Sequence, residues 1–217
     1  MTLRSARRPV LALVTDRTLT PGGLETAVAE ALEGGVDLVQ LRERDLPAAR
    51  LLAVAQRLRE VTRGRALLFV NDRLDVALAC GADGVQLPED GLPAAEAQRL
   101  AGPAIAIGRS VHDVAGALAA AQAGADLLLV GTIYPSRSHL GGPVSGPGLI
   151  SQVRAVLPDF SGLLLGIGGI TSANAGEVLA AGADGVAVIS SILGAADVRG
   201  ATEELRAALG ARVPSRP

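Results

Sequence analysis

A single-domain (β/α)8 barrel of the TIM-barrel type is predicted by three features of this 217-residue chain. Eight short apolar runs alternate with eight alanine-rich amphipathic segments, the order that builds a parallel barrel ringed by helices. A Gly-x-Asp phrase recurs where helices give way to strands. Finally, 49% of residues are hydrophobic but only 1% aromatic. The core is therefore aliphatic, which suits a parallel sheet covered on both faces.

Taken in order, the apolar runs place strands at 10–14, 37–41, 66–70, 84–87, 104–107, 126–130, 163–167 and 185–189. Each is a Val/Leu/Ile-rich stretch of strand length, too short for a helix of its own. Helical patterns fill the intervals at 24–33, 47–63, 73–80, 93–101, 113–123, 147–156, 173–181 and 197–209. The junctions repeat: Gly34-Gly35-Val36-Asp37, Gly81-Ala82-Asp83, Gly124-Ala125-Asp126 and Gly182-Ala183-Asp184. Glycine supplies the left-handed residue that stops a helix. The aspartates then stand at the N-terminal ends of strands, the stability face of a barrel, and read as structural. No domain boundary is visible, and residues 1–9 and 210–217 read as flexible tails. The one long connection, 131–147, is rich in Gly, Pro and Ser and reads as an active-site loop.

Composition excludes several functions. Net charge is −2 with no block of like charge, and Phe69, Tyr134 and Phe160 are the only aromatic residues. Neither nucleic-acid binding nor a membrane-surface role is expected from that balance. A lone Cys80 excludes an internal disulfide framework and fits a reducing compartment. Cys80 itself reads as a small packing residue. Arg4, Arg7 and Arg8 precede the apolar run Val10–Val14, which is too short for a secretory signal. No run approaches the roughly 20 apolar residues of a membrane span. A soluble cytoplasmic protein is expected.

The residues able to carry chemistry lie where strands end. All 20 basic residues are arginine, and the chain has just two histidines, His112 and His139. Proton transfer near neutral pH thus has few carriers. His112, in Gly108-Arg109-Ser110-Val111-His112, is the best placed of them. His139 falls in the 131–147 loop and reads as an exposed loop residue. After the seventh strand, Gly166-Ile167-Gly168-Gly169 lets backbone N–H groups approach an anion, and Ile189-Ser190-Ser191 after the eighth offers a second set. Loops seven and eight form the common phosphate site of this fold, so a phosphorylated ligand is expected at Gly168, Gly169, Ile189 and Ser190.

The second strand ends Gln40-Leu41-Arg42-Glu43-Arg44, with Gln40, Arg42 and Arg44 on one face if the strand runs that far. Arg42 becomes a candidate to grip a carboxylate or phosphate bidentately. The alternative, stronger for Arg44, is a rim salt bridge with Glu43 or Asp45. Asn71 could orient substrate. Asp72 could cap the next helix or bind Mg²⁺, and capping is the simpler explanation. Glu89 and Asp90, in the loop after strand four, read as solvated acids.

These motifs, in this order from about Leu11 to Leu205, resemble the superfamily of thiamine phosphate synthase and the thiazole tautomerase TenI. The resemblance rests on Val14-Thr15-Asp16, Gln40–Arg44, Asn71-Asp72-Arg73, Gly108–His112, Gly131-Thr132-Ile133-Tyr134-Pro135, Gly166–Ile170 and Gly185–Ser191. A synthase of this family joins a pyrimidine pyrophosphate to a thiazole phosphate and needs Mg²⁺. Its second-strand motif ends in lysine, and its sixth loop carries Thr-x-Thr-Lys. Here Arg44 and His139 replace the lysines, and Ser136 and Ser138 the threonines. Gly91 falls where the family's second metal-binding acid stands, with Asp90 one place early, while Asp72 is retained.

Those departures imply the tautomerase branch, an isomerase aromatising a carboxylated dihydrothiazole phosphate by proton transfer. The resemblance then implies His112 as the acid/base and Gln40, Arg42, Arg44, Asn71, Ser110 and Thr132 as substrate-binding residues. Arg42 or Arg44 would take the carboxylate. It implies no cofactor and no metal, a phosphorylated thiazole as the partner molecule, and a homodimer. Two alternatives accompany that expectation. One is the Mg²⁺-dependent synthase, with Asp72 as metal ligand; the other is a non-catalytic regulator that binds the thiazole phosphate.

Overall fold

A computed structural model describes residues 3, 7–136 and 143–210. The tails expected at 1–9 and 210–217 lie largely outside them, as do Ser138 and His139. Eight parallel strands close into a barrel in sequential order. They are β1 (Val10–Val14), β2 (Leu38–Leu41), β3 (Leu67–Asn71), β4 (Gly84–Leu87), β5 (Ala106–Val111), β6 (Leu127–Val130), β7 (Leu163–Ile167) and β8 (Gly185–Val188). Around them run α1 (Leu24–Glu33), α2 (Ala48–Thr62), α3 (Leu74–Cys80), α4 (Ala94–Ala101), α5 (Val114–Gln122), α6 (Gly148–Val156) and α7 (Ala175–Ala180). A single helical turn, α8 (Ser190–Leu193), precedes α9 (Val198–Gly210).

Strand alternation divides the core into two layers. Val10, Ala12, Val14, Leu38, Leu67, Phe69, Leu127, Leu129, Leu163, Leu165 and Ala187 fill the barrel interior. Their neighbours Leu11, Leu13, Val39, Leu41, Leu68, Val70, Leu128 and Leu164 face the helices. Phe69 is the one aromatic side chain of the interior, and it is fully buried. Its paired position across β3–β4 is Gly84, where a Cβ would lie 2.3 Å from the ring. The barrel thus matches one large residue with one absent side chain.

The recurrent aspartates work as latches. Asp37, Asp83, Asp126 and Asp184 accept the backbone N–H of Leu11, Leu68, Ile107 and Leu164 at 2.8, 2.8, 2.9 and 3.0 Å. Arg59 binds Asp83 at 2.7 Å, Arg154 and Arg8 bind Asp184 at 2.8 and 2.7 Å, and Arg206 pairs with Asp37. All four carboxylates are spent at the N-terminal face, as the sequence predicts.

Two boundaries differ from expectation in ways that matter. The fifth strand is Ala106–Val111 rather than 104–107, because Gly102-Pro103-Ala104 forms a 3-10 turn and the strand continues through Gly108–Val111. The third strand extends to Asn71. Both shifts carry polar residues into the barrel wall at its C-terminal end.

Candidate active site

A cavity of about 750 Å³ opens at the C-terminal ends of the strands. The side chains that alternation turns inward supply its polar floor. Gln40 on β2 donates to Asn71 on β3 at 3.0 Å, and Gln86 on β4 donates to Ser110 on β5 at 3.1 Å. Of the residues expected to bind or react, Gln40, Arg42, Arg44, Asn71, Asp72, Ser110, His112, Thr132, Gly168 and Ile189 line this cavity. Gly169 and Ser190 are not among its lining residues. Gly169 lies against the sixth loop, where a Cβ would sit 2.4 Å from the Pro135 carbonyl oxygen. Ser190 heads the four-residue α8.

The rim salt bridge that stood as the alternative for Arg42 and Arg44 belongs instead to Arg17. Arg17 reaches Glu43 at 3.0 Å and Asp45 at 2.5 Å. That contact holds the Asp45 carboxyl down at about 2. Glu43 is buried, and it accepts the Thr15 hydroxyl at 2.7 Å while Thr15 in turn accepts the Arg42 backbone N–H at 2.9 Å. With both acids occupied, the half-buried Arg42 guanidinium makes no hydrogen bond or ion pair among the described residues. Desolvation, and then the neighbouring Arg44 cation, push its pKa below the usual arginine value. A cation held that way attracts an anion strongly.

Asp72 stands opposite in character. It has a left-handed backbone, φ 64°, which aspartate tolerates better than most residues. Its N–H bonds the Gln86 carbonyl at 2.8 Å. The N-cap of α3 is Arg73, with no side-chain cap, so Asp72 does not cap that helix. Its carboxylate faces the cavity, accepts no hydrogen bond among the described residues, and lies under the Pro88–Gly91 turn. A Cβ on Gly91 would be 3.2 Å from Asp72 Oδ1. Glu89 and Asp90 of that turn also line the cavity.

His112 follows the last residue of β5. Its Nδ1 meets the Gly131 carbonyl, and its Nε2 is 3.8 Å from Glu89. The feet of the sixth loop are fixed: Ile133 and Tyr134 donate to Ile167 and Gly168, each at 2.9 Å, and Ser145 donates to Thr132 at 2.9 Å. Tyr134 adds a hydroxyl bond to Glu177 at 2.7 Å. Burial first, then that bond, push the Tyr134 hydroxyl up to about 12. The chain has one tyrosine and no tryptophan, so near-ultraviolet phenolate absorbance reads this group alone. An alkaline titration is expected to have its midpoint near 12, and Glu177→Gln should lower it. A midpoint at the ordinary value of about 10 would refute the contact.

Sequence reasoning missed Arg17, Glu43 and Thr15 as a unit, because their contact joins the first and second βα loops across the rim. Spacing alone gives no sign of it. No helix among the described residues is long and apolar enough to cross a membrane.

The fold and site together define an α/β barrel whose mouth is lined by both arginines and carboxylates. Residues 11–192 match the family model described as thiamine monophosphate synthase, and the chain belongs to that family. It is 46% identical over 199 residues to the thiamine-phosphate synthase of Methanoculleus marisnigri, covering 90% of this chain and 93% of that one. Identity to the thiamine-phosphate synthase of Pyrococcus furiosus is 43% over 197 residues, covering 90% and 92%. The solved thiamine phosphate pyrophosphorylase from Pyrococcus furiosus superposes with a TM-score of 0.84 at 40% identity, over 93% of this chain and 96% of that one.

These relatives overturn the tautomerase expectation, and with it the isomerase class. The reason is physical. A chain with no lysine anywhere places arginine wherever it needs a cation, so Arg44 in place of a lysine retains the charge and says nothing about branch. Asp72, the retained acid, was the better guide.

Proposed function

We propose that this protein is a thiamine-phosphate synthase, a transferase joining a pyrimidine pyrophosphate to a thiazole phosphate with release of pyrophosphate. Similarity to named synthases supports the reading, and one observation carries its chemistry. The Arg42 guanidinium and the Asp72 carboxylate, neither committed to another side chain, line the same cavity. As the bond to the pyrophosphate oxygen breaks and the bond to the thiazole forms, negative charge grows on the leaving group. Arg42 and Arg44, which line the cavity, would stabilise that charge. Gln40, Asn71 and Ser110 would orient the pyrimidine, and Thr132, Gly168 and Ile189, with Gly169 and Ser190 behind them, would hold the thiazole phosphate. His112 would hydrogen-bond an anionic ligand rather than shuttle a proton.

The residues also fit Mg²⁺. The described residues hold no cluster of three or more acidic, His or Cys groups able to bind a metal unaided. Mg²⁺ is ordinarily held by one or two carboxylates together with substrate phosphates. Asp72, with Asp90 from the turn above it, would hold the ion, which would neutralise the pyrophosphate. The decisive assay supplies both substrates and measures pyrophosphate and thiamine phosphate. Equal release of both is expected, lost on adding EDTA, and reduced at least about 10²-fold in Asp72→Asn. Binding of the thiazole phosphate without turnover would overturn the reading.

A further inference from the structure

Arg109 lies one residue before Ser110 but does not face the cavity. Its partner in the β4–β5 register is Leu87, which packs in the outer layer, so its side chain leaves the barrel on the helix side. There the guanidinium donates to the Glu89 carbonyl at 2.6 Å and the Leu92 carbonyl at 2.8 Å. Between those two anchors the chain turns tightly, with the Gly91 N–H bonded to the Pro88 carbonyl at 3.0 Å. The turn carries every acid that reaches the cavity from this side. Glu89 lies 3.8 Å from His112, Asp90 lines the cavity, and a Cβ on Gly91 would lie 3.2 Å from Asp72 Oδ1. No other side chain among the described residues is hydrogen-bonded to the backbone carbonyls of this turn.

We propose that Arg109 is a positioning residue: it clamps the Pro88–Leu92 turn from outside the barrel, and so presents Glu89 and Asp90 to the cavity beside Asp72. Two charge-assisted bonds to carbonyls at the two ends of a short turn fix both its place and its direction. A neutral or shorter side chain at 109 leaves the turn held only by its own backbone and by the long Glu89–His112 contact. The proposal rests on the synthase reading for its consequence in turnover, but its structural content is independent of that reading.

The test compares wild type with Arg109→Met and Arg109→Lys in three measurements. Amide hydrogen exchange across 88–92 is expected to quicken about 10-fold or more in Arg109→Met, with β2 and β7 unchanged as internal proof of folding. Mn²⁺ affinity in the presence of inorganic pyrophosphate, read by the electron paramagnetic resonance signal of free Mn²⁺, is expected to weaken about 5- to 10-fold. In turnover, kcat should fall while the KM for thiazole phosphate holds, and Arg109→Lys should recover part of each loss. Unchanged exchange across 88–92, or unchanged Mn²⁺ affinity, overturns the proposal. A wild type that makes no thiamine phosphate defeats the synthase reading alone, since the exchange and Mn²⁺ measurements still decide the role of Arg109.

Discussion

Arg42→Met is expected to lower kcat/KM about 10²-fold or more while leaving the unliganded protein at least as stable as wild type. The two effects share one cause. Arg42 is half-buried, depressed in pKa by desolvation and by Arg44, and bonded through its side chain to no described residue. In the unliganded protein it is a cost, because desolvation and the neighbouring Arg44 cation outweigh the attraction of Asp16 and Glu43. When an anion enters, the same guanidinium gains a partner in a low-dielectric setting, and losing such a partner costs about 3 kcal/mol. Thermal melts with and without inorganic pyrophosphate separate these states. The variant should melt at or above the wild-type temperature alone and lose most of the ligand-induced rise. A variant that keeps the full rise would show that Arg42 does not hold the anion.

Gly185→Ala is expected to cost about 3 kcal/mol or more, a fall of roughly 6–12 °C in Tm for a domain of this size. Gly185 pairs with Val10 where β8 meets β1 and the barrel closes. A Cβ there would lie 2.1 Å from the Val10 carbonyl oxygen and 2.7 Å from its nitrogen. These are backbone atoms engaged in the closing ladder, so they cannot swing aside as a side chain would. Gly148→Ala is the fitting control. Nothing lies within 4 Å of its would-be Cβ in α6, and its effect should stay within about 0.5 kcal/mol. Equal melting of the two variants would contradict the tight seam.

The legible parts of this protein were those governed by local periodicity. Strands buried on both faces read as unbroken apolar runs, and Gly-x-Asp marked helix ends and latches without ambiguity. Strand alternation put Gln40, Arg42 and Arg44 on one face, and all three line the cavity, whereas Asn71 and Ser110, which also line it, lie beyond the strand ends the apolar runs predict. The fifth strand slid because Ala104-Ile105 continue an apolar pattern through a turn forced by Pro103, whereas Gly108–Val111 belong to the sheet despite their polarity. What remained illegible depends on neighbours far apart in sequence: Arg17 taking Glu43 and Asp45 from the second loop, and Arg109 reaching around β4 to the turn. The branch of the family was misread for a different reason. Arg44 keeps the cation of the lysine it stands for, and only His139 departs in charge, so the two lysine positions are a weak guide to branch in a chain whose basic residues are all arginine.

The aspartate latches tie β1 to β2, β3 to β4, β5 to β6 and β7 to β8, one carboxylate for each pair. The barrel is thus a ring of four like modules, each closed by its own clasp on the face away from the cavity. Strand alignment and ligand chemistry are consequently assigned to opposite poles of the molecule. Loops at the open pole can be lengthened, exchanged or recharged without touching a clasp, which leaves this scaffold free to acquire new substrates at little risk to its own assembly.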